Sequence, residues 1–222
     1  MLAQPFDQQI SGPELLRKSI QFHDPEGNWE TFKGTLQVSM KIPNKSKRNS
    51  IISIDLPNQY FYVKAIQEEK IIEYILDKGS CLIKYNQGIP TEEEKSSNNL
   101  SCDRAKMYSD YYTYLYGLPM KLNDPGTIVH KQVTLKKFKG QEYLVLKVTY
   151  EKEVGEDIWY FYFHPETYAM EIYQFFHDEE KNDGEYILLS DIETIQGIKM
   201  PKKRDWYYNK NDQYLGTDLM KE

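Results

Sequence analysis

A chain of 222 residues in which 40% are hydrophobic and 28% charged can fill a core, which argues against disorder. Its net charge of −6 argues against a general nucleic-acid binder, because phosphate binding needs a cationic surface. It has no apolar run of about 18 residues or more, so no membrane-spanning helix is expected.

The first residues, 1–5, show neither a basic n-region nor an apolar stretch. Any export signal is therefore expected to be missing from the chain as it stands, and no cysteine nearby offers a lipid anchor. Ser11-Gly12-Pro13-Glu14 reads as a helix start: a capping box with proline where its missing N–H costs nothing. Leu15, Leu16, Ser19, Ile20 and Phe22 follow at near-helical spacing, predicting a helix over about 12–23 that ends at Asp24-Pro25-Glu26-Gly27.

The hydrophobic period then changes from 3.6 to 2. Phe32, Leu36, Val38, Met40 and Ile42 alternate with polar residues as in a half-buried antiparallel strand. Further strands are predicted at 51–56, 59–66, 71–77 and 81–85, with breaks at Pro57-Asn58, Gln67-Glu68-Glu69 and Asp77-Lys78-Gly79. Connections this short leave no room for helical crossovers, so neighbours pair antiparallel. The polar stretch 86–101, with Glu92-Glu93-Glu94 at its centre, is expected to be a mobile loop.

A second helix is predicted over about 101–116, stopped by Gly117 and Pro119. Ala105, Tyr108, Tyr112 and Leu115 form one apolar stripe, and Met107, Tyr111 and Tyr114 form another. A helix apolar around so much of its circumference needs cover on more than one side. Hung from a mobile loop, it reads as a lid, with Tyr108 and Tyr112 facing the sheet. Strands return at 127–138, 142–151, 158–163, 168–177, 185–195, 198–208 and 214–219. The tally is eleven or twelve strands and two main helices, without linker or repeat, so one domain over 1–222 is expected. Ile158-Trp159-Tyr160-Phe161-Tyr162-Phe163 has no polar phase, which fits a sheet covered on both faces.

Several segments together resemble the lipoprotein-carrier-like (Lol-type) superfamily of bacterial envelope carriers, in an uncharacterised branch. They are the run from Asp110-Tyr111-Tyr112 to Gly117-Leu118-Pro119-Met120, the turn Tyr162-Phe163-His164-Pro165-Glu166-Thr167-Tyr168, Gly184-Glu185-Tyr186-Ile187, and Pro201-Lys202-Lys203-Arg204-Asp205-Trp206-Tyr207. The resemblance implies an α+β, mainly β fold: an unclosed, highly curved antiparallel barrel with helices on its concave side, plugging an apolar cavity for acyl chains. It also implies a periplasmic or outer-membrane-associated envelope location.

The residues carry no catalytic motif: no nucleophile elbow, no phosphate-binding glycine loop and no metal-ligand spacing among His23, His130, His164 and His177, which read as strand-end and turn residues. The acidic clusters read as solvated turns. Lys199 and Lys202-Lys203-Arg204 read as protection of an edge strand in preference to a lipid head-group site. Cys81 and Cys102 are either a disulfide, if the compartment is oxidising, or two unpaired thiols.

Nineteen tyrosines, nine phenylalanines and three tryptophans exceed ordinary packing needs and suggest a lined cavity. The expectation is a non-enzymatic protein without cofactor or metal, binding lipid or lipoprotein acyl chains, with envelope proteins as further partners. The expected lining is Leu36, Val38, Met40, Tyr108, Tyr111 and Tyr112, continued by Leu115, Tyr160, Tyr162, Met170 and Ile172. The alternative is a surface module that stacks carbohydrate or protein on exposed Tyr60, Tyr62, Trp159, Tyr207 and Tyr208.

Overall fold

The computed structural model describes residues 10–221; residues 1–5, read above for an export signal, lie outside them. Helix α1 (Gly12–His23) starts where the sequence predicts, with the Ser11 hydroxyl accepting the Glu14 N–H and proline in the first turn. It buries Leu15, Leu16, Ser19 and His23 and packs on β6, β7 and β11, defined below. Helix and strand meet closely at Gly12, where an added Cβ would lie 1.9 Å from the His130 carbonyl oxygen. Only glycine fits there. Asp24 closes the helix and caps the next turn, accepting the Asn28 and Trp29 N–H groups at 2.8 Å.

Five strands form a first meander: β1 (Lys33–Lys41), β2 (Arg48–Asp55), β3 (Tyr60–Gln67), β4 (Lys70–Asp77) and β5 (Ser80–Tyr85). Seven more follow the helical insertion: β6 (Thr127–Phe138), β7 (Gln141–Tyr150), β8 (Ile158–Phe163), β9 (Met170–Phe176), β10 (Glu185–Ile195), β11 (Ile198–Tyr208) and β12 (Tyr214–Lys221). All join in one antiparallel sheet of order β5-β4-β3-β2-β1-β12-β11-β10-β9-β8-β7-β6. The two meanders meet where β1 pairs with β12, and β5 and β6 are left as separate edges. The sheet is the expected unclosed, curved barrel.

Between β5 and β6 lie α2 (Glu92–Asn98) and α3 (Cys102–Gly117). Helix α2 corrects the expectation of an irregular loop. Thr91 accepts the Glu94 N–H at 3.2 Å, and the Glu94 carboxylate accepts the Thr91 N–H at 2.8 Å. Three glutamates in the first turn also complement the helix dipole. The helix buries no residue, so local capping, not packing, specifies it.

The main core lies on the inner face and under both long helices, from Leu15 and Leu36 through Leu146, Phe161 and Tyr173 to Ile187. A second, smaller cluster of Tyr143, Val145, Tyr162 and Ile172 sits apart from it. Strand alternation puts this cluster on the outer face, since Phe161 and Phe163 fill the inner one. The doubly apolar strand β8 is thus covered on its outer face by its own sheet's side chains and on its inner face by the main core.

The basic run of β11 is not an edge, because β11 pairs with both β10 and β12. Arg204 is 1% exposed, directly opposite Asp218, and belongs to an inner-face row running Arg48, Met40, Asp218, Arg204 across four strands. Its guanidinium lies 4.1 Å from the Tyr116 ring centroid and donates to the carbonyls of Pro201 and Leu115. Burial would make this charge costly, and the ring, the carbonyls and Asp218 compensate it. Lys202 pairs with Glu193 and Lys203 with Asp205, at 3.0 and 2.6 Å.

His23 anchors α1 and is not the strand-end or turn residue expected. Its Nε2 accepts the Met170 N–H at 2.9 Å, so the ring proton sits on Nδ1 and is donated to the Lys199 carbonyl at 2.6 Å. Burial pushes its pKa down to about 4 from an ordinary 6.5. The unfolded chain therefore takes up this proton first. The stabilisation is complete above pH 6.5 and is lost as pH falls through about 4, an effect on the order of 3 kcal/mol. Urea unfolding of wild type and His23→Ala should show their stability difference shrinking by that amount between pH 7 and pH 4; a difference independent of pH would refute the neutral anchor.

Candidate ligand-binding cleft

Helix α3 carries the chain from one sheet edge toward the other, touching β3, β4 and β5 along its length and reaching β6 through the short turn Met120–Asn123. Ser101 caps it by accepting the Arg104 N–H at 3.1 Å. Its first residue, Cys102, is disulfide-bonded to Cys81 of β5, which decides between the two readings of these cysteines. Tyr108, Tyr112 and Tyr116, at i, i+4 and i+8, form a ring ladder with centroids 6.0 and 6.2 Å apart. Tyr112 stacks on Phe61 and accepts a hydrogen bond from Arg48 at 3.2 Å, so the ladder faces the sheet as expected. Tyr114 packs edge-on against Trp159, its hydroxyl 2.5 Å from that of Tyr150.

Above the other face of α3 lies an open cleft of about 1090 Å³, just above the usual range for small-molecule sites. One wall comes from the β2–β3 turn and the β4–β5 hairpin with its disulfide, including Tyr60, Phe61 and Leu76. The opposite wall comes from the start of β6 and the β7–β8 loop, including Pro125, Tyr150, Val154 and Trp159. Asp103, Lys106, Asp110 and Tyr114 of α3 run between the walls. Apolar and aromatic groups on the walls thus face a floor that carries Asp103, Lys106 and Asp110.

Of the eleven residues expected to line a cavity, Tyr111 is in this cleft. Leu36, Val38, Tyr112, Leu115 and Met170 are buried in the main core, and Tyr108 packs against it. Met40 is half-buried in the row between Arg48 and Asp218. Tyr160, Tyr162 and Ile172 are on the outer face, because strand alternation turns Trp159 and Phe161 inward instead. The sequence reading missed Trp159, Tyr150, Tyr114 and Tyr60 as cleft residues. Among the rings expected to stack outward, Tyr208 is exposed; Tyr60, Tyr62, Trp159 and Tyr207 are half-buried.

Tyr111, Tyr114 and Tyr150 are held neutral. Burial raises the pKa of Tyr111 and Tyr114 well above ordinary phenol, with Tyr150 adding to the effect on Tyr114, and burial pushes Tyr150 up to about 12. They can donate hydrogen bonds and offer ring faces, and they do not act as bases near neutral pH. Among the described residues, no group of three or more His, Cys, Asp or Glu is placed to hold a metal ion.

The disulfide fixes one end of the cleft's floor to its wall. Closing a loop of 21 residues stabilises the fold by about 3 kcal/mol in the chain-entropy account. Cys81→Ser/Cys102→Ser should lose about that much in urea unfolding, with faster amide exchange in the first turn of α3. An unchanged midpoint would show that the bond leaves the helix's attachment unaffected.

A family model described as "Family of unknown function (DUF6503)" matches residues 5–222. No curated protein matches the sequence. Solved structures match the fold along nearly the whole chain. A LolA superfamily protein from Nitrosomonas europaea aligns over 96% of this chain and 92% of that one, with TM-score 0.51 and 8% identity. A domain from Vibrio parahaemolyticus described as an outer membrane lipoprotein-sorting protein aligns over 95% and 90%, with TM-score 0.50 and 10% identity. The expected lipoprotein-carrier-like fold is therefore the fold of this chain.

Proposed function

Given that the chain belongs to this family of unknown function, DUF6503, we propose that it is a single non-enzymatic domain of the bacterial cell envelope that binds lipid or lipoprotein acyl chains in the cleft over α3. The observation that carries the reading is the cleft itself: about 1090 Å³ between the two ends of an unclosed sheet, with Phe61, Tyr111, Tyr114, Tyr150 and Trp159 among its lining. Burying an acyl chain there gains about 0.8 kcal/mol per CH₂, on the order of 10 kcal/mol for a long chain before costs. Ring faces and neutral hydroxyls suffice for that, and no reactive group is needed.

Two further observations support the envelope assignment. The fold is that of proteins described as belonging to the LolA superfamily and to outer-membrane lipoprotein sorting. The disulfide between Cys81 and Cys102 fits an oxidising compartment better than a reducing one. No helix among the described residues is long and apolar enough to cross a membrane, so the reading needs no helical span. The net charge of −6 argues against a general nucleic-acid binder.

Solvent extraction of natively purified protein followed by mass spectrometry should recover acyl lipid. Delipidated protein should bind a fluorescent fatty acid saturably, and bulky Val154→Trp at the cleft wall should weaken that binding. Protein that carries no lipid and binds no fatty acid would falsify the proposal.

A further inference from the structure

We infer that the paired hydroxyls of Tyr114 and Tyr150 form a hydrogen-bonding point for the acyl carbonyl, so that the cleft fixes the polar end of its ligand and not only the chain. The inference rests on the acyl-binding reading above and names the group that the site recognises. Tyr114 on α3 and Tyr150 at the end of β7 both line the cleft, and their hydroxyl oxygens lie 2.5 Å apart. Each hydroxyl brings one proton, and the bond between them uses only one of the two. Whichever tyrosine donates, the other keeps a proton for which no residue among those described supplies an acceptor. Asp124, also in the lining, is held by Lys121 and bonds to neither hydroxyl.

Tyr150 is the tyrosine left with that proton. The bond works against the upward shift of the Tyr150 pKa and adds to that of Tyr114, the pattern of a phenol that accepts beside one that donates. A hydroxyl that accepts a hydrogen bond is polarised by it and donates its own proton more strongly. The pair is also held in place from both sides. The Tyr114 ring packs edge-on against Trp159 at 5.5 Å, and Trp159 packs in turn on Phe161 and Phe175. The backbone after Tyr150 is pinned where the Glu151 N–H donates to the Gly126 carbonyl at 2.8 Å. Both tyrosines are half-buried, so their rings are anchored while the pair still borders the cleft.

The chemistry of the spare proton selects the ligand group. Water accepts such a proton at an open surface, and a wholly apolar chain laid over it would strand the donor. A chain that ends in a carbonyl brings its own acceptor to the point where water is displaced. Trp159, beside Tyr114, offers a ring face to the first methylenes after that carbonyl. The dyad therefore discriminates an acyl group from a plain alkyl chain of similar length, a distinction that the apolar walls cannot make.

The experiment compares methyl laurate with tetradecane, both delivered from cyclodextrin to delipidated full-length protein. The variant is Tyr114→Phe/Tyr150→Phe, which keeps both rings and removes both hydroxyls. Infrared difference spectra should show the ester carbonyl stretch of the bound ligand lowered in wild type, relative to the same ester in alkane, and restored in the variant. Affinity for the ester should fall roughly three- to tenfold in the variant, while affinity for tetradecane does not fall. A carbonyl unshifted in wild type, a shift that persists in the variant, an unchanged ester affinity, or a parallel loss for both ligands would overturn the inference and leave the acyl-binding reading standing. Failure of both ligands to bind wild type would overturn the acyl-binding reading, and this inference with it.

Discussion

The concave side of this molecule depends on one constraint: an unclosed sheet must bury the aromatic face of α3. The chain leaves β5 at one edge and resumes at β6 at the other, so α3 has to run through the gap. A helix apolar around most of its girth is stable there because the sheet supplies cover. Phe61 and Tyr74 meet the ladder of Tyr108 and Tyr112, and Trp159 and Trp206 meet Tyr114 and Tyr111. Each favourable ring pair contributes about 0.5–1.5 kcal/mol beyond its buried area. Polar ties fix the position that packing alone would leave degenerate: the disulfide at the helix start, Arg48 on the Tyr112 hydroxyl, and Arg204 on the Leu115 carbonyl.

That placement produces the cleft as a consequence. With Tyr112, Leu115 and Tyr116 committed to the core, the remaining face of α3 looks out between the two ends of the sheet. The walls it meets are the turns and loops that finish the strands, which is why aromatic strand residues and charged turn residues occur together there. Largely buried tyrosines and ring faces make a surface suited to holding an amphiphile. They do not assemble a nucleophile with a base to activate it.

Much of the fold was legible because period-2 alternation and turn residues report the strands directly. Strands β6, β8, β10 and β11 begin and end where the pattern places them. The acidic run in α2 reads as a solvated loop because it has nothing to bury; what specifies the helix is the capping box of Thr91 and Glu94, three residues apart. Arg204 is hidden in a basic run; the pairing of β11 on both sides removes the edge reading, and alternation along the strand puts its side chain on the inner face opposite Asp218. In β8 both phases are aromatic, so the pattern announces a strand without saying which face is inner. That ambiguity moved Tyr160 and Tyr162 into the expected cavity and left Trp159 out. The cleft joins segments around residues 54–61, 76–81, 102–114, 121–127 and 150–159, and no local pattern links them. The topology does.

The most direct measurement is fluorescence quenching by a fatty acid brominated along its chain, because bromine quenches indole only at close range. Trp29 is buried beside Phe32 and Trp206 lies behind Tyr111, whereas Trp159 lines the cleft. An acyl chain in the cleft predicts saturable quenching of the wild type that is mostly abolished in Trp159→Phe, while equilibrium dialysis shows that the variant still binds the fatty acid. Equal quenching in both proteins, or binding without quenching, would place the chain elsewhere and contradict the account.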